Sequence, residues 1–418
     1  MQVFDKGGKR LAIKALNSEN PPKKNAKKSK KRTAAQKKNT KKNDILLRIH
    51  KRSKNLGELD YTFLLLTVVL TIIGLVMLLS ASTPAANIKF GKSYYFFIRQ
   101  FIFTFMGIVF MYAISFIDYH TYKKYANVGI LIGIVLLVLV LIPHIGIERN
   151  GSRRWISLGI TDFQPTELVK FLIALFFASS ISERRYDLTK FDGLMKYGLW
   201  IIAIAAPIML ETHLSGAIVI CGIAICLLII GGANMKYVFL GGAALLGGGT
   251  AVALLIPSRA ARLISFIHPF DDPQGKGYQI IQSLYAIGSG GVFGRGLGQS
   301  MQKYSYLPEP YNDFIFSIVS EELGFVGAVF IILLFAGLII RGIKIALEAP
   351  DAFGMLLAAG IMSQIAIQTI LNVAVVTSSV PNTGVTLPFF SYGGTAVMML
   401  LMEMGVVLNI SRNARNRL

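Results

Sequence analysis

The chain has 418 residues, 53% of them hydrophobic, and a mean hydropathy of +0.56. Apolar runs near 20 residues recur along it, each matching a ~30 Å hydrocarbon core at ~1.5 Å rise per residue, which excludes an ordinary soluble domain. The net charge of +21 is lopsided: residues 1–57 hold 19 Lys/Arg against 3 Asp/Glu. Two cysteines, Cys221 and Cys226, share one apolar run, and the five histidines are scattered. Neither a disulfide framework nor a histidine metal centre is implied.

Residues 1–57 read as a disordered, basic cytoplasmic tail. Runs such as Lys27-Lys28-Ser29-Lys30-Lys31-Arg32 have no signal-peptide core and no cleavage site. A membrane helix follows at once. The tail is therefore expected to fix topology and touch anionic headgroups, and no nucleic acid is expected as a partner.

The continuous apolar runs predict an all-α polytopic membrane protein with about ten transmembrane helices. The spans fall near 61–82, 96–117, 126–147, 165–182, 195–211, 214–232, 237–257, 312–341, 353–376 and 392–410. Both termini are expected to be cytoplasmic. Lys123-Lys124, Arg184-Arg185, Lys236, Arg341 and Lys344 then all lie inside, as does the short basic tail 412–418. The membrane body spans 58–411.

Two outward segments stand apart. Residues 148–164 carry Arg149, Arg153, Arg154 and Trp155. Residues 258–311 form a large extracellular loop between helices seven and eight, too long to be idle. Its apolar stretches Arg262–Ile267 and Tyr278–Ile287 are expected to fold back on the membrane face as short amphipathic helices. Its glycines, Gly288 to Gly298, do not match G-x-G-x-x-G and read as tight turns.

Polar groups also occur at membrane depth. Helix four opens Gln164-Pro165-Thr166-Glu167, with Lys170 at i+3 from Glu167. Helix eight carries Asp313, Glu321 and Glu322, and helix nine aligns Gln364, Gln368 and Asn372 on one face. Such groups are costly in lipid and face a polar cavity or one another. Glu167, Asp313, Glu321, Glu322, Gln368 and Asn372 are read as intramembrane structural groups. Carboxylate plus arginine at a membrane surface suits a phosphate-linked substrate. A pyrophosphate leaving group needs neutralisation rather than protonation. One carboxylate base plus cations is then enough, and a divalent metal can help.

Ordered motifs carry a resemblance. Asn150-Gly151-Ser152-Arg153-Arg154-Trp155-Ile156 is followed by Gln164-Pro165-Thr166-Glu167-Leu168-Val169-Lys170. Next come Asp272-Pro273-Gln274-Gly275-Lys276-Gly277-Tyr278-Gln279, Gly296-Leu297-Gly298-Gln299-Ser300, Leu307-Pro308-Glu309 and Asp313-Phe314-Ile315-Phe316. Glu321-Glu322-Leu323-Gly324 follows, and Gly384-Val385-Thr386-Leu387-Pro388-Phe389-Phe390-Ser391-Tyr392-Gly393-Gly394 closes the series. Over residues 60–410 the chain resembles the SEDS family (shape, elongation, division and sporulation), and within it FtsW and SpoVE more than RodA.

The resemblance implies a peptidoglycan glycosyltransferase that polymerises lipid II at the outer face of the bacterial cytoplasmic membrane, with undecaprenyl pyrophosphate leaving. It maps the family's essential aspartate, the base for the acceptor hydroxyl, onto Asp272. Arg153, Arg154, Lys170, Trp155, Gln279, Glu309 and Ser391 are the substrate-binding candidates. A class B penicillin-binding protein and other divisome proteins are the expected partners. A divalent cation, magnesium or manganese, is the expected cofactor, its ligands unknown, with no organic cofactor. Glu211-Thr212-His213-Leu214-Ser215-Gly216 and Tyr311-Asn312 depart from the family pattern. The competing reading is a lipid II flippase, whose path would be lined by the polar groups of helices four, eight and nine.

Overall fold

The computed structural model describes residues 57–149, 152–157, 159, 161–211, 213–255, 266, 269–275 and 277–415. These belong to the unit Leu56–Leu418 of the two units into which the chain divides. The basic tail up to residue 56, the last three residues and most of the stretch Arg262–Ile267 lie outside the described residues.

The bundle begins with α1 (Tyr61–Phe90), capped by Asp60, whose carboxylate accepts from Phe63 N at 3.0 Å. It runs eight residues past the expected end, carrying buried Pro84 within it. α2 (Tyr95–Ile114), the short α3 (His120–Lys123) and α4 (Ala126–Leu141) follow. The span expected at 126–147 stops early. Ile142, ahead of Pro143, turns extended with ψ 125, as the pyrrolidine ring demands of the residue before it. The chain then forms a sheet that the sequence reading missed. β1 (Gly146–Arg149), β2 (Ser152–Ser157) and β3 (Asp162–Phe163) pair antiparallel in that order.

α5 (Pro165–Ser182), α6 (Phe191–Leu210), α7 (Leu214–Ile230) and α8 (Met235–Leu255) follow. Beyond a 3₁₀ turn (Pro269–Asp271) come α9 (Tyr278–Gly290), α10 (Ile315–Leu347), α11 (Ala352–Val376) and α12 (Gly394–Arg415). All ten expected spans fall on helices. Among the described residues seven are long and apolar enough to cross a membrane, and α4 and α7 are shorter apolar helices. α9 is the short amphipathic helix expected in the long loop. α10 is broken at Gly324, whose φ of 69 and ψ of −171 only glycine adopts readily. A Cβ there would strike the backbone of Val292 and Gly294.

Two polar ties fix the register of α1 against α10. Arg341 grips Asp60 through Nε and Nη2, the latter at 2.6 Å from Oδ2. Ser80 Oγ donates to Glu322 Oε1 at 2.6 Å. Twenty residues of α1 separate the two ties, about 30 Å at 1.5 Å per residue, the thickness of the hydrocarbon core.

At the Asp60 end a third tie joins the α2–α3 turn to α11. His120 Nδ1 meets Asp118 Oδ1 at 2.8 Å, and Nε2 meets Asp351 Oδ2 at 2.6 Å. Asp351 also caps α11 through Gly354 N and accepts from Tyr119 OH. Only the imidazolium donates from both nitrogens. Burial opposes that charge, but the bonds to Asp118 and Asp351 outweigh it and hold His120 above its ordinary pKa of 6.5. A raised folded pKa adds stability that is complete below the unfolded value of about 6.5 and is lost as pH rises through the folded value. The melting temperature of the purified protein is therefore expected to fall as pH rises from about 6. His120→Gln should flatten that slope; an unchanged slope would remove His120 as its cause.

Candidate active site

Away from the Asp60 end, a polar column enters the bundle. Pro165 starts α5 at its first turn, so Thr166, Glu167 and Lys170 follow within two turns. Lys170 Nζ pairs with Glu167 Oε2 at 2.8 Å, and the lysine is 3% exposed. β2 delivers the arginines. Alternation along the strand sends Arg153 and Arg154 to opposite faces. Arg153 meets Glu148 at 3.2 Å at the surface, whereas Arg154 lies within electrostatic reach of Glu211 and His213. Trp155 shares the Arg153 face, opposite Ile147 of β1.

Glu211 and His213 occupy the connector between α6 and α7, beyond the helix ends. Burial pushes the Glu211 carboxyl up to about 8, against the pull of Arg154. Burial, with Arg154 and Lys170 nearby, holds His213 well below its ordinary value. The His213 Nδ1 atom is buried with no hydrogen-bond partner among the described residues. Deeper, Glu403 of α12 and Gln364 of α11 are both buried, and Glu403 feels the charges of Lys170 and Glu167. Glu403 lies nine residues into α12, about 14 Å down the helix axis. The sequence reading missed Glu403. The signal was there: a lone carboxylate in an apolar span.

A second cluster orders the loops. Ser391 Oγ donates to Asn312 O at 2.7 Å and accepts from Leu387 N at 2.8 Å. Asn372 Nδ2 donates to both Asp313 O and Val385 O. The Asp313 carboxylate stands beside Gly384, whose φ is +71. Gln279 donates weakly to Pro308 O at 3.4 Å and accepts from Asn382 Nδ2 at 3.0 Å. Glu309 accepts from Asn312 Nδ2 at 2.6 Å. Gln279, Glu309, Ser391, Asp313 and Asn372 thus belong to one set of loop ties. Gln368 is buried on the same helix as Asn372.

A third cluster surrounds the break in α10. Glu321 accepts from Ser300 Oγ, Met301 N and Gln302 N, and Arg295 approaches at 3.4 Å. Glu322 accepts from Ser80, Ser300 N and Lys303 Nζ, the last at 2.9 Å. Lys303 also donates to Gly298 O at 2.6 Å.

Asp272 sits in the turn leading into α9 and is exposed. Its carbonyl accepts from Gly277 N at 3.2 Å, and its carboxylate lies against Gly275, where a Cβ would strike it. A side chain at position 275 would displace that carboxylate. Burial does not bring Asp272 into the column. The two features are an exposed carboxylate on the turn into α9 and a buried lysine, Lys170, within the bundle.

These elements define a multi-pass membrane protein with a polar column entered from one end. The family model described as cell cycle protein, covering FtsW, RodA and SpoVE, matches residues 61–416. The chain belongs to that family. It is 45% identical over 357 residues to stage V sporulation protein E of Bacillus subtilis, covering 85% of this chain and 98% of that protein. It is 38% identical over 357 residues to a probable peptidoglycan glycosyltransferase FtsW of Geobacter sp. (strain M18), with 85% and 97% covered. A chain of a solved peptidoglycan synthase complex that coordinates polymerization and crosslinking superposes with TM-score 0.72 at 27% identity, covering 85% of this chain and 98% of that one. The rod shape determining protein RodA of Thermus thermophilus gives 0.64 at 26%, with 85% and 97% covered.

The Lys303–Glu322 pair is 4% and 0% exposed on its side chains. Removing one partner strands a buried charge, at about 3–5 kcal/mol. Lys303→Met is expected to destabilise by that order, and Lys303→Met with Glu322→Gln by much less. Denaturant titration of both variants checks it; equal losses would mean the pair does not act as one.

Proposed function

We propose that the chain is a peptidoglycan glycosyltransferase that polymerises lipid II at the outer face of the bacterial cytoplasmic membrane, during division or sporulation. One observation carries the reading. The stretch matched to relatives named for this activity holds both an exposed carboxylate, Asp272, and a buried lysine, Lys170, within the bundle.

The charge balance of the column supports it. Lys170 is paired with Glu167, and Arg154 lies within electrostatic reach of Glu211, which burial raises to about 8. Two cationic side chains at the column suit a pyrophosphate joined to a lipid. Arg153, spent on Glu148 at the surface, is the lesser candidate.

The step follows. An Asp272 carboxylate oxygen takes the proton from the acceptor sugar hydroxyl. The oxygen so freed attacks the donor's anomeric carbon from the face opposite the pyrophosphate. The carbon–oxygen bond to the leaving group breaks with its electron pair on the phosphate, and Arg154 and Lys170 stabilise the growing charge. The anomeric centre inverts. The proton passes from Asp272 to water.

Among the described residues no three His, Cys, Asp or Glu side chains gather as a metal cage. A magnesium or manganese ion needs only one or two carboxylates besides substrate phosphates, and Asp271 or Asp272 would supply them. It would neutralise pyrophosphate charge. A penicillin-binding transpeptidase is the proposed partner, in keeping with the synthase complex whose chain this one resembles. The column's reach to mid-membrane also favours a second reading, lipid II translocation.

With purified protein, its partner transpeptidase and lipid II in detergent, glycan strands are expected. Asp272→Asn should lower the rate by about 10²–10⁴, the usual contribution of a general base, with folding intact. Strand synthesis at the wild-type rate by that variant would sink the assignment, and no synthesis by the wild type would favour translocation. Chelating divalent cations is expected to slow the reaction; an insensitive rate would leave the neutralisation to Arg154 and Lys170.

A further inference from the structure

The proposed function places the leaving group in the column but gives the second sugar-bearing substrate no seat. A cavity of about 460 Å³ opens between α9 and the segment that follows it. That volume lies within the range of ligand pockets. Tyr285 and Tyr306 flank it, each 54% exposed. Ser289, Gln302, Arg295 and Glu321 supply its polar wall.

The chemistry of this wall selects a ligand class. Arg295 and Glu321 face each other at 3.4 Å, so their charges cancel and an anion gains little. Two exposed tyrosine rings offer flat apolar faces with polar rims. Stacking faces beside paired polar groups suit a neutral, hydroxyl-rich ring.

Position selects the source. The cavity lies along α9, the helix into which the turn of Asp272 leads at Tyr278, and Tyr285 lies seven residues further along that helix, about 10 Å at 1.5 Å per residue. A sugar bound here lies on the helix that follows the turn of the proposed base. We propose that this cavity binds the N-acetylated saccharide of the second, lipid-anchored substrate, the acceptor; the assignment rests on the glycosyltransferase reading above.

Gly288 gives a clean test. It lines the cavity, has helical φ, and nothing lies within 4 Å of a Cβ added there. Gly288→Leu fills the space without straining the fold. The variant, Tyr285→Ala/Tyr306→Ala and Tyr285→Phe/Tyr306→Phe are assayed for rate against lipid II concentration, with melting temperature as the folding control. Binding of soluble N-acetylglucosaminyl-N-acetylmuramic acid to the Asp272→Asn protein is followed by saturation-transfer NMR, with and without Gly288→Leu. The Leu and Ala variants are expected to raise KM about tenfold, the equivalent of one lost stacking contact. They should keep kcat within about threefold, and the Phe variant should behave as wild type. Gly288→Leu should abolish the disaccharide signal. Unchanged KM with wild-type disaccharide binding overturns the inference while leaving the glycosyltransferase reading intact. Loss of transpeptidase co-purification with disaccharide binding retained overturns it in favour of a protein partner. Absence of any polymerisation by the wild type defeats the underlying reading instead.

Discussion

Two adjacent carboxylates, Glu321 and Glu322, are buried where α10 breaks, and much of the outer architecture hangs on answering their charge. Taking a carboxylate out of water costs several kcal/mol unless donors replace the lost hydration. Here the replacements come from the segment 295–303: two backbone N–H groups and a hydroxyl on Glu321, a lysine and a backbone N–H on Glu322. That segment cannot shift without stranding a charge. It is also packed at Gly294 against Gly324, where neither backbone leaves room for a Cβ. The segment after α9 is therefore tied to α10 at several points.

The same logic shapes the column. Polar groups at membrane depth persist only when they answer one another. Lys170 answers Glu167 within one turn of α5. Glu211 and His213 stand at the mouth, where the α6–α7 connector interrupts the apolar lining. The connector departs from the family's sequence pattern, yet it lies at the mouth. Such a departure can tune the anion affinity of the entrance, since Glu211 is neutral or charged over the range around pH 8. Its effect on Arg154 is electrostatic and needs no change of backbone.

Legibility followed the range of each interaction. The helices under the ten expected spans were readable because apolar length is a local signal. The end of α4 was readable too, had Pro143 been weighed against the apolar run. The sheet was not. Its strands are two to six residues long, set among arginines, and their pairing is settled by contact with one another. Gly324 lies inside a helix, two residues after Glu322, and the backbone that crowds it is at Val292 to Gly294, about thirty residues earlier. Glu322 and Lys303 are nineteen residues apart, so no helical spacing rule joins them. Asp272 was singled out by motif order, and it lies exposed on its turn.

The two ties along α1 then bear on how such a site works. Asp60–Arg341 and Ser80–Glu322 are spaced by about 30 Å, one hydrocarbon thickness. Asp272 is exposed, whereas Lys170 and Glu403 are buried in the bundle. Under the proposed reading, a sugar must be in water and its leaving group must remain with the membrane. An exposed carboxylate and a buried lysine meet those two demands separately, and neither group has to be buried with the other. The buried carboxylates at the break in α10 fix the segment 295–303 to the helix that carries them.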